Sequence, residues 1–208
     1  MKQTPAGAWA LCVAAMALAA GAASGENVEQ AVARSRIKGG FCVMLGAAEP
    51  QFAVELARRS DLTVLVLGEL AFMSGELASK STLDLPGKQQ QLMETVAALG
   101  KPVVLVLINS RPLNINWAVS HVPAILEAWH PGVQGGTAVA NLLDGDAVPG
   151  GKLPITWPRS GGQVPIYYAR NLTHQPETAP GFKSRYWDIL SSPLYPFGYG
   201  LSYTTFAF

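Results

Sequence analysis

The chain has 208 residues, enough for one domain or one plus a short tail, which excludes a large multidomain machine. With 49% hydrophobic and only 14% charged residues it can bury a core, which excludes an intrinsically disordered chain. Fifteen basic and fourteen acidic side chains leave a formal charge of +1, so no field draws nucleic acid or an anionic membrane surface; Cys12 and Cys42 are too few for a disulfide framework or a cysteine-based zinc site.

Residues 1–25 differ from the rest. Met1 and Lys2 precede a nearly uncharged run over residues 8–20, followed by Gly21, Ala22, Ala23, Ser24 and Gly25. That order predicts a secretory signal peptide, not a spanning helix, which would need about 20 apolar residues. It implies a periplasmic or secreted chain without a membrane anchor, with Cys42 as the sole remaining thiol. Residues 26–50 are an ambiguous lead-in, in which 37–45 admits a strand with no identifiable partner.

From residue 51 two patterns alternate. Near-helical spacing of Phe52, Val54, Leu56 and Ala57 predicts a helix over 52–59, and the branched apolar run 62–67 predicts a strand buried on both faces. Leu92, Val96 and Leu99 share a face of a helix over 88–99 that stops at Gly100 and Pro102, and Val103–Ile108 is a second buried strand. A short helix over 116–121, a strand over 124–129, a helix over 136–143 and a last short strand over 152–156 follow. Helices alternating with buried strands imply an α/β fold, a three-layer sandwich with a mainly parallel sheet flanked by helices, in which 62–67 and 103–108 are parallel neighbours. Beyond Trp157 prolines, glycines and aromatics predict a loop-rich carboxy-terminal region.

In open sheets of this kind ligands bind beyond the carboxyl ends of the strands. The segment after the first buried strand, Gly68-Glu69-Leu70-Ala71-Phe72-Met73-Ser74-Gly75-Glu76, carries two carboxylates, two glycines and a hydroxyl in that place. A glutamate on a loop tip can reach a leaving oxygen as a general acid; equally, both glutamates can simply solvate a loop. His121, His130 and His174 lack the spacing of a metal site and read as structural, so no metal is expected. No cofactor is expected either, because dinucleotide and phosphate-loop patterns are absent, and so is a nucleophilic serine elbow.

Taken together, Gly68-Glu69, Met73-Ser74-Gly75-Glu76, Leu83-Asp84-Leu85-Pro86-Gly87-Lys88-Gln89-Gln90, Gly100-Lys101-Pro102 and Asn109-Ser110-Arg111-Pro112-Leu113 resemble the carboxy-terminal domain of glycoside hydrolase family 3. Ala124-Ile125-Leu126-Glu127-Ala128-Trp129, Gly150-Gly151-Lys152-Leu153-Pro154, Val164-Pro165-Ile166-Tyr167-Tyr168, Ser184-Arg185-Tyr186 and Tyr195-Pro196-Phe197-Gly198-Tyr199-Gly200-Leu201 continue the series in the manner of its periplasmic β-glucosidases, over residues 52–208.

The resemblance implies a six-stranded sheet flanked by helices, packed on a barrel domain that holds the nucleophilic aspartate of a retaining β-glycosidase, with the acid/base carboxylate on the loop described above. About fifty residues precede Phe52, whereas such barrels take about 200 or more. The chain is therefore expected to supply the acid/base half of the site as a fragment, a truncated product or half of a split enzyme. Its substrate would be a β-linked oligosaccharide or glucoside, and its protein partner a barrel in trans or a second copy of itself. Glu76 is the acid/base candidate and Glu69, at the strand end, the runner-up. Ser74 and Arg111 are candidates for substrate contact, and Arg111 is equally suited to a bidentate pair with a carboxylate of the acidic loop. Asp84 is expected to cap the following turn. Trp129, Trp157, Tyr167, Tyr168, Tyr186 and Trp187 are core aromatics or sugar platforms. Asn171-Leu172-Thr173 is a glycosylation sequon, meaningful only in a eukaryotic secretory pathway. A second class of function remains open, a non-catalytic carbohydrate-binding or assembly module.

Overall fold

Among the described residues four strands, β1 (Phe41–Leu45), β2 (Leu62–Gly68), β3 (Val103–Ile108) and β4 (Ala124–Glu127), form one sheet in the order β1-β2-β3-β4. They are seen in a computed structural model that describes residues 60–170, 185–205 and 207, residues 53, 54, 57 and 58, and the backbone of 41–45. The predicted signal segment, the sequon and His174 lie outside the described residues. The sheet begins earlier than the sequence reading could place it: β1 pairs in parallel with β2, Phe41 opposite Leu62 and Leu45 opposite Val66, which supplies the partner missing for 37–45.

β2 and β3 are parallel neighbours, as their composition predicts. Thr63 N donates to Pro102 O and Glu69 N to Ile108 O, a constant offset of 39 at both ends (102 less 63, 108 less 69). Val64, Leu65 and Leu67 of β2 and Val103, Leu105, Val106 and Leu107 of β3 are all at most 3% exposed, the burial on both faces that parallel strands require. Each such side chain contributes about 1.5–3 kcal/mol through removal from water. The helix α1 (Gln89–Ala97) buries Leu92, Met93 and Val96, an i, i+1, i+4 stripe, and is followed by Gly100 at φ +71°. Lys101 then donates its Nζ to the carbonyls of Arg58 and Ser60, which joins the approach to β3 to the approach to β2. Two further helices, α2 (Asn116–His121) and α3 (Gly135–Asp144), flank β4 in sequence. Residues 53, 54, 57 and 58 are helical, and the rest of the predicted helix 52–59 lies outside the described residues. The architecture is an α/β sandwich built on a parallel sheet.

The chain divides into two compact units. The first takes Met1–Leu67, Pro86–Leu107 and Ser120–Leu126; the second takes Gly68–Leu85, Ile108–Val119 and Glu127–Phe208. The boundaries fall in sequence just before the last residues of β2, β3 and β4, at Gly68, Ile108 and Glu127.

Residues 152–156 do not form the predicted strand. The chain bends at Pro154 and Ile155 and is tied antiparallel to residues 194–199 only on either side of that bend: Leu153 N to Tyr199 O, Gly198 N to Leu153 O, Trp157 N to Tyr195 O and Leu194 N to Trp157 O, at 2.8 to 2.9 Å. The bend between the two tied positions is what interrupts a continuous ladder. Trp157 anchors the tie. It is 1% exposed and donates Nε1–H to Leu113 O at 2.8 Å. Trp157→Phe leaves that carbonyl buried without a donor and a void where the indole was, and is expected to destabilise by about 2–4 kcal/mol. Urea unfolding checks this, as a lower midpoint at unchanged slope.

Candidate functional site

Both candidate glutamates lie on the segment leaving β2. Gly68 makes the exit at φ +139°, where a Cβ would fall 1.9 Å from Ile108 O. Glu69 follows with its N–H on the same carbonyl oxygen and its side chain turned inward, sealed from solvent. Oε2 accepts from Arg111 Nε at 3.1 Å; Oε1 lies 3.2 Å from Lys80 Nζ, an ion pair without hydrogen-bond alignment. Ser110 Oγ stands 3.5 Å from Oε2. A buried carboxylate held by two cations is committed to them, because losing either would leave a charge uncompensated away from water.

Glu76 stands in the opposite environment. It is exposed at the loop tip, between Gly75 at φ +107° and Leu77 at φ +63°, whose side chain is 99% exposed. Ser74 uses its hydroxyl within the loop, donating to Ala71 O at 3.2 Å across the 3-10 turn Ala71–Met73. The structure thus brings Glu69 and Arg111 together and sets Glu76 apart on the surface.

Arg111 does not make the bidentate fork that its chemistry allows. A single Nε–H bond reaches Glu69, and Nη2 turns to the loop backbone, donating to Met73 O at 2.6 Å and Ala78 O at 3.0 Å. Asp84 also reaches beyond the turn it precedes: its Oδ1 accepts from Asn114 Nδ2 at 3.1 Å, beside the main-chain bond from Asn114 N to Leu83 O. The carboxylate has a side-chain partner thirty residues on, which local spacing could not show.

Three participants carry no role in the sequence reading. Lys80 is one. Glu127, closing β4, and Asn109, following β3, are the others. Asn109 is fully buried; its Nδ2 donates to Arg111 O at 2.8 Å and lies 3.4 Å from Glu127 Oε2, while its Oδ1 has no donor among the described residues. Glu127 Oε1 accepts from Trp129 N at 2.9 Å. Burial pushes the Glu127 carboxyl up to about 7, against the opposing pull of the Trp129 and Asn109 bonds. Trp129 sits at φ +51°, an uncommon conformation for a bulky residue, with its ring 5.9 Å from that of Trp157. A lone glutamate closing an apolar strand was the available signal. Of the other aromatics, Trp157 is core, whereas Tyr167, Tyr168 and Trp187 are exposed. No three metal-binding side chains cluster among the described residues.

Residues 6–203 match the glycosyl hydrolase family 3 C-terminal domain. The chain belongs to this family. A family 3 relative, the periplasmic β-glucosidase of Salmonella typhimurium, is 47% identical over 157 residues, 74% of this chain and 20% of the relative. A β-xylosidase of Formosa agariphila is 45% identical over 75% of this chain and 21% of its own length. Among solved structures, a β-glucosidase from Listeria innocua in complex with glucose superposes with a TM-score of 0.70 at 39% identity, covering 76% of this chain and 23% of that one. The chain thus spans about a fifth of the length of the family 3 relatives it matches.

Proposed function

We propose that the chain supplies the acid/base carboxylate of a retaining β-glycosidase, that Glu76 is that carboxylate, and that a barrel domain carrying the nucleophile completes the site, within the same polypeptide or as a separate one. The observation that favours Glu76 over Glu69 is the contrast in their surroundings. Glu69 is sealed from solvent with a cation at each oxygen, whereas Glu76 is presented at the tip of a loop that leaves the carboxyl end of β2. In the first step Glu76 gives its proton to the glycosidic oxygen as the bond to the sugar breaks and the nucleophile takes the anomeric carbon. In the second the ionised Glu76 takes a proton from water, whose oxygen displaces the nucleophile with net retention. β-Glucosides and β-xylosides are the substrates that the relatives' names support. Residues 1–25 and the periplasmic relative support a periplasmic or secreted location. The exposed Tyr168 and Trp187 support a partner surface for the barrel or for a second copy.

The test mixes this chain with a barrel domain from a family 3 relative and follows aryl β-glucoside hydrolysis. The chain by itself is expected to show no turnover, and the mixture to gain it. Glu76→Gln should then lower the rate on an alkyl glucoside by about 10²- to 10⁴-fold, with a much smaller loss on a glucoside whose aryl leaving group needs no proton. Undiminished hydrolysis of the alkyl glucoside would remove Glu76 from the role.

A further inference from the structure

We propose that Arg111 is a positioning residue for the acid/base loop, tying both legs of that loop to the buried carboxylate of Glu69; as a statement about Glu76 it rests on the reading above. The loop's own bonds are local: a 3-10 turn over Ala71–Met73 with no buried residue, and a turn across Glu76 and Leu77 closed by Ala78 N on Gly75 O at 3.3 Å, with Leu77 at φ +63° and its side chain in solvent. These turns shape the tip but do not join it to the rest of the fold, and a leucine in the left-handed region is strained, so the tip gains from an outside tie.

The tie to the rest of the fold comes from one guanidinium. Arg111 Nη2 donates to Met73 O at 2.6 Å and to Ala78 O at 3.0 Å, and these carbonyls bracket the four residues Ser74 to Leu77. One nitrogen therefore closes the loop across the residue that the chemistry needs. Nε of the same group donates to Glu69 Oε2 at 3.1 Å, and Glu69 is itself fixed to Ile108 O by its main-chain N–H at 2.8 Å. Position is thus relayed from the end of β3 through Glu69 and Arg111 to the legs of the loop. Lys80 adds a second tie farther along, with Nζ 3.2 Å from Glu69 Oε1 and donating to Asp84 O at 3.3 Å.

The chemistry explains why arginine stands here. The planar fork points N–H groups along fixed, divergent directions, so one side chain can hold a carboxylate and two carbonyls at once. A lysine would neutralise Glu69 as a point charge but could not span both legs. This makes Arg111→Lys the informative variant, because it keeps a cation beside the buried carboxylate and with it the fold.

Hydrogen exchange on the full chain reads the tether directly. In Arg111→Lys, amides of residues 73–78 are expected to exchange about tenfold faster, while those of Leu62–Gly68 and Val103–Ile108 stay within about twofold of the wild type. Unchanged exchange in the loop, or loosening of both strands along with it, would overturn the proposal. In the chain mixed with a barrel domain, the same variant should lose about tenfold in kcat on an alkyl glucoside and much less on an activated aryl glucoside, the split that belongs to proton donation. Equal loss on both would assign Arg111 to stability or binding. If instead Glu76→Gln is silent while Arg111→Lys still loosens residues 73–78, the assignment of Glu76 fails and the tether stands.

Discussion

Gly68→Ala is expected to unfold the chain or nearly so. At φ +139° a side chain is already strained, and the Cβ would meet Ile108 O at 1.9 Å, its carbonyl carbon at 2.6 Å and its nitrogen at 2.9 Å. All three contacts are backbone, so no rotamer change relieves them. Ile108 cannot retreat without breaking its bond from Glu69 N, which sets the offset between β2 and β3 and seats the carboxylate that Arg111 and Lys80 hold. Fully buried neighbours on both strands leave no slack. The cost should exceed about 4 kcal/mol, a large share of a typical domain's 5–15 kcal/mol. A fall in Tm of about 10 °C or more, or loss of soluble chain, is the expected result. Gly136→Ala is the control, since a Cβ at Gly136 in α3 meets nothing within 4 Å and should leave Tm unchanged or slightly raised. A Gly68→Ala chain as stable as its parent would mean that the close approach of the two strands does not exist in solution.

The second large effect is a dependence of stability on pH through Glu127. Its carboxyl is held at about 7 in the folded chain, against 4.5 as the ordinary value. The folded state therefore keeps a proton over a range in which the unfolded state has released it. Where the unfolded state binds fewer protons, stability falls as pH rises. The contribution is fully present below about pH 4.5, declines through the interval, and is gone above about pH 7. A shift of this size corresponds to about 3 kcal/mol. Glu127→Gln removes the titration while keeping the shape: its oxygen can still accept from Trp129 N, and its amide nitrogen takes the place of Oε2, losing only the long 3.4 Å contact from Asn109 Nδ2. The variant should match the wild type near pH 4.5 and exceed it by about 2–3 kcal/mol at pH 8, read from urea midpoints across that range. Parallel pH profiles for the two proteins would show that Glu127 titrates as an exposed carboxylate.

The sheet was legible because its strands are written as unbroken apolar runs. Burial on both faces leaves 62–67 and 103–108 no alternative but a parallel interior, and the intervening Leu92 and Val96 mark a crossover helix. Such runs carry no in-and-out alternation, however, so they fix neighbours but not register; register is set at the ends, by Gly68 against Ile108 and Thr63 against Pro102. The candidate site was legible as a place more than as a set of partners. Position after a strand singled out Glu69 and Glu76, but which is sealed and which exposed depends on Arg111 and Lys80, 42 and 11 positions from Glu69. Glu127 escaped because its burial depends on Asn109 and on Trp129, whose ring rests on the distant Trp157. Residues 152–156 misled because their pairing with 194–199 is confined to Leu153 and the adjoining Trp157, with a bend at Pro154 and Ile155 between them.

The enclosed ion pairs behind the acidic loop also bear on the media in which the chain can keep that loop in order. Mobile salt weakens attraction between charges that stand in solution, with a screening length of about 8 Å at physiological ionic strength and about 3 Å at molar salt. Glu69 is out of reach of counterions, and the charged side chains of Arg111 and Lys80 are only 22% and 25% exposed. A loop fastened by surface charges would slacken as salinity rose. This one is fastened from within, so its geometry should carry over from dilute buffer to brine.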